Sequence, residues 1–421
     1  MYRGVNMTRR VVITGIGAIT PYGAGADLFW DNVKAGKSGI KTVDFLNNEK
    51  HAVHIAGAVS NYDALEFFEP KEAKKMDRYI QFAIIAADEA FKDSGLDMTK
   101  EDPYRVGVYV SSAAGGFTTI ETQHKAQLEK GPTRCSPFTI PNLIVNIGSG
   151  KVSMKLGAKG PNKCIVSACA SSAHAVGDAF RSIAWGDADV IFAGGSEAAI
   201  GDMGIGGFTA ARTLSKRNDE PQKASRPYDV DRDGFVVAEG AGVLVLEELE
   251  HAKARGAKIY AEIVGYGQTG DAFDIVAPDP TGAAAQKAME FALKDANLTP
   301  DAVDYINTHG TSTGLGDKAE SFAVANVFGD LAKNQKLKVS STKSMFGHML
   351  GASGAAESIV CVKAICDGIV PATINLDNQD PEVANLNYVP HKAILQDVNC
   401  ALTNSFGFGG HNASLIFKKY N

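Results

Sequence analysis

The stretch Phe91-Lys92-Asp93-Ser94-Gly95-Leu96, followed by Val106-Gly107-Val108-Tyr109-Val110, has a counterpart in Leu293-Lys294-Asp295-Ala296-Asn297-Leu298, followed by Val303-Asp304-Tyr305-Ile306-Asn307. In each copy an amphipathic helix, predicted over 81–94 and 286–296, leads to an apolar strand and then a turn of small residues. The copies continue alike. Lys163-Cys164-Ile165-Val166-Ser167-Ala168-Cys169 runs into a helix through Ala184, and Leu337-Lys338-Val339-Ser340-Ser341 runs towards a helix over 355–366. This order predicts a duplicated α/β architecture whose mainly parallel strands are covered on both faces, with chemistry in the loops after strands. The segment Gly115–Asn162, carrying Pro132, Pro137 and Pro141, interrupts the first copy and reads as an insertion that caps a pocket or meets a partner subunit.

The 421 residues, 45% of them hydrophobic, suffice for a large core. A formal charge of −6 argues against general affinity for nucleic acid or anionic membranes, so any basic site is local. Arg9-Arg10 before Val11-Val12-Ile13 only superficially resembles a signal peptide, and a buried first strand is the better reading. Met7 is a candidate native start, with the residues before it a disordered extension. Six cysteines without paired CxxC spacing predict reduced thiols and a cytoplasmic protein.

Three motifs mislead. Gly15-Ile16-Gly17 lacks the third glycine and the later acid of a dinucleotide site. Asp229-Val230-Asp231-Arg232-Asp233-Gly234 imitates a calcium loop but has Gly240 where glutamate belongs. Gly194-Gly195-Ser196-Glu197-Ala198 lacks the last glycine of a nucleophile elbow. No metal site is expected from spacing.

Cys169, in Ser167-Ala168-Cys169-Ala170-Ser171-Ser172, sits where a strand gives way to a helix among small neighbours. The free amides and dipole of such a helix start favour thiolate and can bind an oxyanion. His309 and His348 each follow an apolar strand and adjoin glycine, with Thr311 and Thr313 beside the first and Lys343 beside the second. Imidazoles so placed can donate hydrogen bonds to a thioester carbonyl or a carboxylate and shuttle protons.

With these motifs the chain resembles the elongating β-ketoacyl-acyl carrier protein synthases, particularly the synthase II group, from Val11-Val12-Ile13-Thr14-Gly15 to Asn404-Ser405-Phe406-Gly407-Phe408-Gly409-Gly410 and Leu415-Ile416-Phe417-Lys418-Lys419. The resemblance implies a duplicated thiolase fold, layered α-β-α-β-α with two mixed sheets, and a homodimer. It divides the chain into halves 1–260, with the capping insertion at about 115–162, and 261–421. It implies decarboxylative condensation of acyl-carrier protein with malonyl-carrier protein in fatty-acid elongation. The substrates carry phosphopantetheine, no cofactor is required, and a structural monovalent cation near Glu357 is allowed.

By the same resemblance Cys169 is the nucleophile, and His309 and His348 serve malonyl decarboxylation. Lys343 and Glu357 hold the histidine network, and Thr311 and Thr313 meet the phosphopantetheine arm. The amides of Cys169 and Phe408 form an oxyanion hole, Phe408 also gating the nucleophile. Ala114 lies at the far end of the acyl channel, where synthase II commonly has isoleucine. An acidic carrier protein docks on Lys71, Lys74 and Lys75, whose spacing suits one helix face, and on Arg212. Phe346 and His411 stand where threonines are usual.

Rival readings are weaker. A thiolase needs a second reactive cysteine where Gly407–His411 stands, an initiating or chalcone-type synthase has asparagine in place of His348, and a non-catalytic chain-length subunit lacks the nucleophile. A ketosynthase subunit of a type II polyketide pathway shares the chemistry and is the alternative.

Overall fold

The computed structural model describes residues 9–60 and 62–421, so the start at Met7 and the extension before it lie outside the described residues. The duplication is explicit in strand order. From one edge inward run Asn162–Lys163, Val106–Ser111, Val190–Glu197, Gly240–Glu248 and Val11–Thr20. From the other edge inward run Lys338–Ser340, Tyr305–Asn307, Cys400–Gly407, His411–Lys418 and Ala261–Gly270. In each set the first three strands pair in parallel, and the next two join antiparallel. The sets are thus mixed rather than mainly parallel. Val11–Ile13 pairs with Ala261–Ile263, so the two sheets meet along one continuous path.

Helices Ser171–Trp185 and Ser353–Asp367 form the middle layer, packed on each other and on strands of both sets. Their close approach requires glycine: a Cβ on Gly354 would lie 2.7 Å from Ala173. Alanines 173, 175, 179, 355, 356 and 364 fill this layer and are wholly buried or nearly so. Outer layers are built by Arg78–Ser94 on the first set and Ala283–Asp295 on the second. The Asp77 side chain caps the former helix by accepting from the Tyr79 amide, and left-handed Gly95 ends it.

The insertion forms helices Phe117–Lys130, Thr139–Leu143 and Ile147–Leu156. The first two bury no side chain. The predicted helix bearing the three lysines is shorter than the spacing suggests. It spans only Pro70–Ala73, with Lys74 as its cap and Lys75 beyond, because the chain turns at Met76 to enter the helix capped by Asp77. Phe346 packs in the core edge-on to Phe29, with ring centroids 5.2 Å apart. No helix of the described residues is long and apolar enough to cross a membrane.

Candidate active site

The nucleophile turn is held in a strained conformation. Ala168 has φ 50°, Cys169 lies in a 3₁₀ turn over Ala168–Ala170, and the helix Ser171–Trp185 begins directly after it. The Ser171 hydroxyl accepts from the Ser167 amide (2.9 Å) and donates to the Ala168 carbonyl (2.7 Å), tying the turn together. Gly407, at the end of a neighbouring strand, presses against this turn so closely that a Cβ would lie 2.4 Å from the Ser167 carbonyl oxygen. The predicted strand over 164–167 is absent, since pairing stops at Lys163.

Cys169 is half-buried. Burial pushes its thiol up to about 12, against the pull of the Lys343 charge and of amide hydrogen bonds from Phe408 and Cys169 itself, while Glu197 pushes the same way as burial. Burial thus opposes the thiolate that the helix start favours.

His309 follows the strand Tyr305–Asn307, and its backbone is fixed from below. Glu320, on the helix Gly314–Lys333, accepts from the amides of His309 and Gly310, both at 2.8 Å, and from Asn404 at 3.1 Å. His348 follows the short helix Lys343–Phe346, and its Nδ1 contacts the Ser353 hydroxyl at 2.9 Å. The two imidazoles meet edge-on, their centroids 5.3 Å apart. Burial, with the positive charge of Lys343 nearby, holds both well below the usual histidine range, so both are neutral. Lys343 is buried behind them, paired with Glu357, whose carboxyl burial pushes up to about 7.

A cavity of about 480 Å³ unites Cys169, His309, His348, Thr311, Thr313 and Phe408. The threonine hydroxyls lie 3.1 Å apart, and Ser312 between them has φ 72°. Arg212 lies on the same cavity, but Lys71, Lys74 and Lys75 do not. Neither does Ala114, which packs instead in an adjoining cluster containing Leu350 and Phe208. Phe208 does line the cavity and approaches Phe408, ring centroids 6.4 Å apart.

Sequence reasoning missed Glu320, Ser353, Phe208 and Glu197. For Glu320 a signal existed in Asp317-Lys318-Ala319-Glu320, where two acids three residues apart share a helix face just after the His309 turn.

The site for a monovalent cation has a testable donor set. Asn307 and Thr403 are register partners on adjacent strands, Ser405 follows on the same face, and the helix carrying Glu357 packs on that strand. Asn307 Oδ1, Thr403 Oγ1, Ser405 Oγ and Glu357 Oε2 are buried without hydrogen-bond partners. Four orphaned oxygens fit a hard cation.

Residues 8–252 match the family described as Beta-ketoacyl synthase, N-terminal domain, and residues 260–377 match Beta-ketoacyl synthase, C-terminal domain; the chain belongs to the β-ketoacyl synthase family. It is similar to 3-oxoacyl-[acyl-carrier-protein] synthase 2 of Vibrio harveyi, 50% identical over 98% of this chain and 99% of that protein. The protein of the same name from Synechocystis sp. is 49% identical, over 98% of each chain. Among solved structures, a β-ketoacyl synthase from Burkholderia phymatum superposes with TM-score 0.89 at 36% identity, over 98% of this chain and 100% of that one. A type II polyketide ketosynthase, solved with its acyl-carrier protein and bound to a hexaketide, superposes with TM-score 0.90 at 33% identity, again over 98% and 100%.

Proposed function

We propose that the chain condenses acyl-carrier protein with malonyl-carrier protein, giving 3-oxoacyl-carrier protein, carbon dioxide and free carrier protein, in fatty-acid elongation. The observation that carries this reading is one cavity shared by a small-walled cysteine and two imidazoles whose protonation burial disfavours. The type II polyketide alternative has less support, because the relatives named for 3-oxoacyl synthesis are about half identical to this chain and the polyketide ketosynthase a third.

In the first half-reaction the Cys169 sulfur attacks the acyl thioester carbonyl. The amides of Cys169 and Phe408 receive the developing oxyanion, the bond to the carrier's sulfur breaks, and that sulfur leaves with the proton Cys169 gives up. In the second, the bond between the malonyl carboxylate and its methylene breaks, carbon dioxide departs, and the electron pair forms an enolate. A neutral imidazole can donate a hydrogen bond to that enolate oxygen without first losing a proton. The enolate carbon attacks the acyl-cysteine carbonyl, the carbon–sulfur bond breaks, and the Cys169 thiolate takes up a proton from solvent. No strong base is needed.

Lys343 and Glu357 hold the histidines, Thr311 and Thr313 meet the phosphopantetheine arm, and Phe408 gates the cysteine. Ala114, packed against the same cluster as Phe208, deepens the acyl pocket. A monovalent cation held by Asn307, Thr403, Ser405 and Glu357 would supply charge opposite the Glu357 carboxylate. Lys71, Lys74, Lys75 and Arg212 receive the acidic carrier protein. Homodimerisation is supported by the unpaired edge beyond Asn162–Lys163 and by exposed Leu128, Ile140, Met154 and Val166 nearby in the chain. A cytoplasmic setting accords with six free cysteines.

The test is product mass: octanoyl- and malonyl-carrier protein with this enzyme should yield 3-oxodecanoyl-carrier protein. Its absence, with both substrates intact, overturns the reading.

A further inference from the structure

Glu197 ends the strand Val190–Glu197 and is fully buried. Among the described residues no cation pairs with it; instead it accepts four hydrogen bonds. Oε1 accepts from the Ser112 hydroxyl (2.8 Å) and the Ala114 amide (3.1 Å), and Oε2 from the amides of Ala113 (2.9 Å) and Gly351 (3.0 Å). Three donors belong to the turn after Val106–Ser111, and the fourth lies just beyond His348. These turns come from opposite copies of the repeat.

The turns also touch. A Cβ on Gly351 would lie 2.6 Å from the Ala113 nitrogen and 2.7 Å from Oε2. Leu350, between His348 and Gly351, has φ 47°, a conformation that persists only where surroundings impose it. A buried carboxylate is costly unless donors surround it, so the same four bonds that stabilise Glu197 fix both turns against it.

We propose that Glu197 is a positioning residue that sets the acyl-side turn Ser112–Ala114 and the malonyl-side turn after His348 through one carboxylate. This rests on the proposed condensation and on the acyl-side role of Ala114. Alanine at 197 removes the acceptor of all four bonds, those of Ser112, Ala113 and Ala114 on the acyl side and that of Gly351 on the malonyl side, whereas Ser112→Ala removes a donor from the acyl side alone.

The experiment compares Glu197→Ala, Ser112→Ala and wild type by malonyl-carrier protein decarboxylation and by kcat/KM across C8 to C16 acyl-carrier proteins. Rates are expressed per folded enzyme, quantified by circular dichroism of each purified variant. Glu197→Ala should slow decarboxylation by about tenfold and shift the chain-length profile. Ser112→Ala should shift the profile alone. Where Glu197→Ala fails to fold, Glu197→Asp, which keeps the charge but draws it back from all four donors, takes its place with the same two effects expected. An unchanged decarboxylation rate or an unchanged profile in the Glu197 variant, or decarboxylation slowed as much by Ser112→Ala, overturns the coupling. A wild-type enzyme that makes no 3-oxoacyl product instead overturns the proposed function.

Discussion

The imidazoles of His309 and His348 stand edge-to-face, with centroids 5.3 Å apart and planes at 85°, although one follows the strand Tyr305–Asn307 and the other the short helix Lys343–Phe346, and each is held by a different partner. His309 is fixed through its backbone by Glu320, and His348 through its ring by Ser353. Two neutral rings at right angles present separate hydrogen-bonding edges to one cavity.

His348→Ala removes one of these edges where negative charge develops. Loss of one such contact typically costs about 10²–10³ in rate. Decarboxylation of malonyl-carrier protein should fall by that order, while acyl transfer to Cys169 continues. Wild-type decarboxylation in the variant would remove His348 from this role.

Neutral imidazoles have a stability consequence with a definite sign. Both rings titrate well below the usual 6.5 in the fold, so the unfolded chain binds their protons first as pH falls. Their contribution is present above the ordinary histidine pKa and is lost as pH drops below it. The stability difference between wild type and His309→Gln/His348→Gln should therefore move against wild type on acidification from about pH 7 to about pH 5. Nitrogen-15 histidine spectra should show both rings neutral at about pH 6; an imidazolium signal from either contradicts the assignment.

Charge reversal at Lys74 and Lys75 should raise KM for acyl-carrier protein, with the effect shrinking at high salt as exposed charges are screened. Both side chains are exposed, and neither touches the cavity. Unchanged KM at low salt would mark them as solvated surface.

Ala114→Ile should lower kcat/KM for long acyl chains relative to short ones. Each methylene buried on the substrate contributes about 0.8 kcal/mol, so several-fold discrimination per carbon is expected once the pocket is shortened. Ala114 does not line the cavity but packs against the same cluster as Phe208, which does, so the effect would act through that cluster. A variant with the wild-type profile places the pocket floor elsewhere.

The repeat was legible because strand and helix patterns are local, and both copies keep the same order. Cys169, His309 and His348 were legible because each lies in a turn of small residues, although only His309 directly follows a strand. Glu197 and Glu320 were not, since an acid's role there depends on amides of turns distant in sequence. The opposing effect of burial on Cys169 was not legible locally either, because helix-start geometry is a local pattern and desolvation is not. The lysine run suggested a longer helix than Pro70–Ala73 because spacing carries no information about the turn that follows.

The most direct measurement is intact mass of the enzyme after incubation with octanoyl-carrier protein, before and after malonyl-carrier protein is added. Wild type should carry one octanoyl adduct and Cys169→Ala none, and malonyl-carrier protein should discharge the adduct with appearance of 3-oxodecanoyl-carrier protein. An undiminished adduct on Cys169→Ala, or an adduct that malonyl-carrier protein does not discharge, would contradict condensation through an acyl-Cys169 intermediate.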